Sequence, residues 1–191
     1  MPKLIDETKL FETVVHVFAE RGYAAAKTQD IAERAGVNEA TLYRRYGTKA
    51  ALVSRALGHC LARSPFSALE CTSDVSADLV AVVEAYEKTQ DSYGGAVMTL
   101  LTEIPRHDEL AVALEALMPN LARAAKIIAH HQCSGALDDG HPMQLLLTLV
   151  APLMAEGLWS RAGAQKVGRT TSASMRVRHF LRGHAARAQR S

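Results

Sequence analysis

Aromatic side chains are scarce in this chain, at 5% of 191 residues with a single tryptophan. The 48% hydrophobic content is heavy in Ala and Leu, and Gly and Pro fall at breaks rather than at regular strand spacing. That combination favours an all-α protein over a sandwich or barrel. Cysteine is equally sparse. Cys60, Cys71 and Cys133 form no CxxC pair and leave one thiol over, which argues against a disulfide framework. No apolar run is expected to approach the 18 or more residues of a membrane span, and no charged-then-apolar leader opens the chain. The expectation is a cytoplasmic protein with no membrane partner. The length allows one or two compact domains with a real core.

Net charge is small, +2, but it is segregated. Residues 1–50 carry 8 Lys/Arg against 7 Asp/Glu, residues 51–164 carry 7 against 13, and residues 165–191 carry 7 basic side chains and no acidic one. The acidic middle argues against nonspecific polyanion binding over the whole surface. Any affinity for nucleic acid in the first third must come from where its charges sit.

Residues 28–49 hold the clearest local pattern. Thr28 is placed to cap a helix, Gln29 to Ala35 is a short helical run, and Gly36 suits the left-handed position after its end. Asn38 can cap a second helix, Glu39 to Tyr46, and Thr48 a third. Ile31 and Ala32 face Val37 and Leu42 across the turn, and Ala32 is small enough for a close crossing. The second helix keeps Leu42 as its apolar anchor and leaves Glu39, Ala40, Thr41, Tyr43, Arg44 and Arg45 for other faces. That side-chain set suits a DNA major groove, although an αα-corner with a solvated basic face has the same pattern.

Gly22-Tyr23, Asp30-Ile31-Ala32, Ala35-Gly36-Val37, Thr41-Leu42-Tyr43-Arg44-Arg45-Tyr46 and Lys49-Ala50-Ala51-Leu52-Val53 resemble the N-terminal domain of the TetR family of bacterial transcriptional regulators. The resemblance covers roughly residues 8 to 55. It implies an all-α chain of about nine helices, with a DNA-binding domain at 1–50 and a ligand-binding and dimerisation domain at 51–191. It also implies a non-enzymatic role, most simply that of a repressor released from a palindromic operator by a small lipophilic effector. Carried over position by position, Glu39, Ala40, Tyr43 and Arg44 are candidates for base edges. Thr28, Thr41 and Lys49 are candidates for phosphates, with Asn38 beside them. Tyr46 matches an aromatic expected in the core. Ala26-Lys27 departs from the family, where small hydroxyl residues are common.

Outside the motif, apolar spacing predicts a first helix over 6–20 ended by Arg21-Gly22, and a fourth from Thr48 to about Arg63, broken by Ser64-Pro65. A helix over 78–92 is expected to close at Gly94-Gly95, followed by a short one over 96–104. The segment 107–133 should kink or split at Pro119. Helices over 143–161, with internal Pro152, and 172–187 follow, with a turn marked by Gly163 and Gly168 between them. The strongly apolar 143–161 stretch is too apolar to face water. The resemblance assigns it and the last helix to a homodimer interface through Met143, Leu146, Leu147, Val150, Met154 and Leu158. By the same resemblance a ligand pocket draws on His59, Phe66, Tyr86, Tyr93, Met98, Leu101, His107, Met118 and Leu121, each also readable as ordinary core.

Other groupings predict less. His130, His131, Cys133 and His141 match no standard zinc spacing, and adjacent histidines on a helix diverge by about 100°. Neither a metal nor a cofactor is expected. The cysteines read as inert thiols, and the basic tail (Lys166, Arg169, Arg176, Arg178, Arg182, Arg187, Arg190) as a solvated face. The competing functions are a ligand-independent architectural DNA binder and a small all-α enzyme; for the enzyme no nucleophile–base signature is present.

Overall fold

A computed structural model of the chain describes residues 6–164 and 171–185. Lys166, Gly168, Arg169, Arg187 and Arg190, assigned above to a turn and a basic tail, lie outside the described residues. The helices are α1 (Glu7–Ala25), α2 (Thr28–Ala35), α3 (Glu39–Tyr46), α4 (Lys49–Ala62), α5 (Val75–Glu103), α6 (Met118–Cys133), α7 (Pro142–Arg161) and α8 (Ala173–His184). Short 3-10 segments cover Pro65–Ala68, Ile104–Arg106 and Asp108–Ala116. Among the described residues there is no strand, only an isolated bridge between Leu137 and Ala185. The fold is all-α.

The chain forms two compact units. The first holds the residues up to Ser64 together with Asp91–Pro119. Leu10, Val14 and Phe18 of α1 pack there with Ile31, Leu42, Leu52, Leu57, Leu100 and Leu110. Asp6 caps α1 by accepting from the Lys9 N–H at 3.1 Å. Gly22 then interrupts the helix at φ 74°, as the Arg21-Gly22 ending predicts. The second unit holds Pro65–Gln90 and the residues from Asn120 onward. Its core gathers Phe66, Leu79, Val83, Ile128, Leu146, Leu149, Leu153, Val177 and Phe180.

Several expected boundaries are corrected. Gly94-Gly95 does not close a helix: α5 runs unbroken for 29 residues, and the separate helix over 96–104 is its continuation. Leu79, Val82 and Val83 before the pair and Ala96 and Leu100 after it are all buried. That burial outweighs the ~1 kcal/mol each helical glycine costs. The stretch Asp108–Ala116 is 3-10 rather than α. A three-residue turn stacks positions i and i+3, and Leu110 and Ala113 are both completely buried. Of the two outcomes expected at Pro119 the split is the one found, since Pro119 sits in the first turn of α6, where no helical N–H is needed.

Candidate nucleic-acid interface

The helix-turn-helix forms as its local signals require. Gly36 takes φ 69°, ψ 34° and its N–H bonds back to Ala32 and Glu33. The Asn38 side chain caps α3 by accepting from the Ala40 N–H at 2.8 Å, and Thr48 caps α4 by accepting from the Ala51 N–H at 3.1 Å. Ile31, Ala32 and Leu42 are buried where the two helices cross. An Arg21–Asp30 ion pair adds a tie between α1 and α2.

Thr28 does not cap α2. The N-cap is Lys27, without a side-chain bond, and Thr28 lies within the first turn with its hydroxyl turned across to α3. That hydroxyl donates to Glu39 Oε1 at 2.7 Å and lies 2.8 Å from the Tyr43 hydroxyl. Three of the candidate DNA residues therefore form one hydrogen-bonded group. It ties Glu39 and Tyr43 of α3 to Thr28 of α2.

Around that group, Ala40, Tyr43, Arg44 and Arg45 are exposed, and Thr41 is half-buried. The Arg45 guanidinium pairs with Glu7 at 2.7 Å and sits over the Tyr46 ring. Arg44 makes no hydrogen bond or ion pair with any described residue. Tyr46 is buried against Phe11, with 5.7 Å between ring centroids.

Lys49 is held inward. Its Nζ donates to the Tyr23 carbonyl at 2.6 Å and lies 4.2 Å from the centroid of the Tyr23 ring. Burial pushes this ammonium below the ordinary lysine value, against the opposing charges of Glu109 and Glu103. Tyr23 is also gripped from other sides. Its N–H donates to Glu103 Oε2 at 2.6 Å, and the His107 ring meets its ring edge-on at 5.0 Å. Burial, then the charge and hydrogen bond of Glu109, push the Tyr23 phenol up to about 12. Gly22 is needed here for its positive φ and also for clearance, since a Cβ at that position would come within 2.3 Å of Glu103 Oε1. Glu103 is 80 residues from Tyr23 in sequence. No sequence signal marked it.

The proposed interface residues on α7 divide. Leu146 and Val150 are buried in the core of their own unit, and Met143 packs against that core, so Leu146 and Val150 are corrected from interface to core. Leu147 and Leu158 are 43% and 50% exposed, Trp159 beside them is exposed too, and Met154 is half-buried. An apolar face is therefore uncovered in the single chain. By length and composition α7 is also apolar enough to cross a membrane, contrary to the expectation that no run approaches that length. Leu146, Leu149, Val150 and Leu153 bury one side of the helix, and Glu156 on it pairs with Arg176 of α8 at 3.0 Å. These are features of a helix at the edge of a protein core.

The candidate ligand residues spread over both units. In the first, His59 lies 5.1 Å from the Phe11 ring and within 3.3 Å of the Thr8 hydroxyl, and Tyr93 packs on the core. Met98 and His107 are half-buried, while Leu101 and Met118 are at the surface. In the second, Phe66 is core, and Tyr86 and Leu121 pack against it. A separate cavity of about 350 Å³ lies between α7 and α8, lined by Thr148, Leu149, Pro152, Arg176, His179 and Phe180 among others. None of the candidate ligand residues lines it.

Residues 10–56 match the family of bacterial regulatory proteins named tetR. An HTH-type transcriptional repressor of Mycobacterium tuberculosis is 42% identical over 50 residues, covering 26% of this chain and 27% of that protein. The match thus spans about a quarter of the relative's length. A transcriptional regulator from Rhodococcus sp. Rha1 shares the fold over 94% of this chain and 97% of its own, with TM-score 0.72 and 16% identity. A regulator from Saccharomonospora viridis, solved in complex with choline, does so over 94% and 97%, with TM-score 0.67 and 20% identity. Residues 10–56 thus carry the motif of the tetR family of bacterial regulatory proteins, and the helical fold around it is shared along nearly the whole chain with solved regulators of that kind.

Proposed function

We propose that the protein is a cytoplasmic, homodimeric DNA-binding repressor whose α3 reads an operator in the major groove. The observation that carries this is the state of α3. Leu42 anchors it, Thr28 holds Glu39 and Tyr43, and Arg44 stands exposed with no hydrogen bond or ion pair among the described residues. A guanidinium free of internal ion pairs is suited to bidentate recognition of guanine O6 and N7, and Glu39 can accept from cytosine N4. Thr41 and Lys27 are candidates for phosphates beside it, and Lys49 positions Tyr23 rather than reaching outward. The exposed Leu147–Leu158 face supports a second copy of the chain as partner. One short helix reads too few base pairs, and a twofold dimer doubles them on a palindrome.

The effector is a small organic molecule bound by the helical domain. The choline complex of the Saccharomonospora protein supports a ligand of that size in this fold, and the low charge of the candidate residues favours a lipophilic one. By linkage, the factor by which effector weakens DNA binding equals the factor by which DNA weakens effector binding.

The test is operator selection from random duplexes followed by fluorescence anisotropy on the selected site. Arg44→Ala is expected to cost about 1–3 kcal/mol on that site and to relax one base position. Equal losses on selected and random DNA would remove base reading from the proposal.

A further inference from the structure

We propose that Cys71, Asp78 and His131 form a binding site for a thiophilic first-row divalent cation, Zn²⁺ being the ion that fits best. The three residues come from three places in the second unit: the connection before α5, the first turn of α5, and the last turn of α6. Their donor atoms all lie within 4.8 Å of one another. Asp78 and His131 are 3% and 1% exposed, with Nε2 and Oδ2 2.8 Å apart. Cys71 stands at the solvent side of this pair. The site is therefore a buried carboxylate–imidazole pair with a thiol at its mouth, open to an ion arriving from water.

The donor set selects the ion. Thiolate and imidazole nitrogen exclude Ca²⁺ and Mg²⁺, which take oxygen ligands, and suit Zn²⁺ or Co²⁺. Three protein ligands leave a fourth tetrahedral position for water or an external ligand. Zn–N and Zn–O bonds of about 2.0–2.2 Å set neighbouring donors about 3.3 Å apart. The Asp78–His131 contact must then open by roughly 0.5 Å, and Cys71, on an exposed connection, must close in.

Charge and protons balance. The ion replaces the proton shared by Nε2 and Oδ2, that proton being carried on Nδ1 of the neutral ring, and Cys71 releases its thiol proton to solvent. One carboxylate, one thiolate and one neutral imidazole neutralise a divalent cation. The outer contacts are already in place. Asp78 accepts from the Thr72 N–H and the Thr72 hydroxyl, both at 2.8 Å, which aim the carboxylate as outer-shell bonds do at metal sites. The Asp74 carboxylate caps α5 through the Ser76 and Ala77 N–H groups, fixing the backbone between Thr72 and Asp78. Bound metal would tie the 71–74 connection to the ends of α5 and α6. The site shares no residue with the DNA-reading face or with the candidate ligand residues.

The experiment uses the full chain, reduced and stripped with chelator, titrated with Co²⁺ and then Zn²⁺. The expected result is one ion per chain, with visible ligand-field bands of four-coordinate Co²⁺ and a thiolate-to-cobalt band in the near ultraviolet, displaced by Zn²⁺. Cys71→Ser, an exposed change that leaves the core intact, should abolish the thiolate band. It should also weaken Zn²⁺ by more than the roughly 10–100-fold typical of losing an outer-shell partner. Cys133→Ser should keep the band, and Asp78→Asn, if folded by circular dichroism, should weaken binding in parallel. Absence of stoichiometric binding by the wild-type chain overturns the site, as does a thiolate band that survives Cys71→Ser.

Discussion

The Lys49 ammonium donates to the Tyr23 carbonyl at 2.6 Å while lying over the ring of the same residue at 4.2 Å. One side chain at the start of α4 thus holds both the backbone and the ring of the last turn of α1, just past the interruption at Gly22. Glu103 and His107 hold that turn from another direction. Lys49→Ala is therefore expected to act first on stability. Losing a hydrogen bond from a charged donor and a cation–π contact should cost about 1.5–3 kcal/mol in urea unfolding. On random DNA the salt slope should change by well under the roughly one unit lost with a phosphate contact. An unchanged stability with a full-unit drop in slope would put Lys49 on the phosphate backbone instead.

Thr28→Val removes the hydroxyl that joins Glu39 to Tyr43 while keeping the shape of the side chain. With Thr28 only 7% exposed, the expected loss of stability is about 1 kcal/mol. The larger expected effect is on discrimination. Glu39, freed to move, should prefer its cytosine less strongly over other bases, read as a flattened profile in binding to single-base operator variants. A profile identical to wild type would show that α3 presents Glu39 without help from Thr28.

On α7, neighbouring leucines should behave oppositely. Leu147→Glu or Leu158→Glu places a charge on the uncovered face and should yield a folded monomer by sedimentation. Leu146→Glu places the charge in the core of the chain itself, where Leu146 is 1% exposed, and should lose helical content altogether. If the first two variants stayed dimeric, the partner would sit elsewhere.

The phenol of Tyr23, raised from 10.0 to about 12, makes stability depend on alkaline pH. The folded state favours the neutral phenol, so its contribution is complete below pH 10.0 and is lost as the pH rises toward about 12, where the unfolded tyrosine has ionised. The Lys49 shift has the opposite sign and acts below the ordinary lysine value of 10.5, because folding disfavours its charged form. Comparison of Tyr23→Phe with wild type by urea unfolding isolates the phenol. The variant should lose less stability than wild type across that window, and parallel losses would count against the buried, Glu109-bonded hydroxyl.

What the sequence determined by itself is the part of the protein whose causes are local. Gly36, Asn38, Leu42 and Thr48 place a turn, a cap, an anchor and a second cap within a dozen or so residues, and each acts on backbone groups a few positions away. The caps of α3 and α4 and the α2–α3 crossing were therefore legible, as was the family resemblance of the motif. The tertiary structure decided whatever depends on partners distant in the chain. Gly94-Gly95 reads as a stop until the burial of Leu79 and Leu100 on either side is known. Thr28 reads as a cap until α3 offers it Glu39 and Tyr43. On α7, apolar on nearly every face, periodicity could not separate Leu146 from Leu147. Cys71, Asp78 and His131 carry no joint spacing at all, because the junction of two helix ends and a loop is set by core packing rather than by chain order.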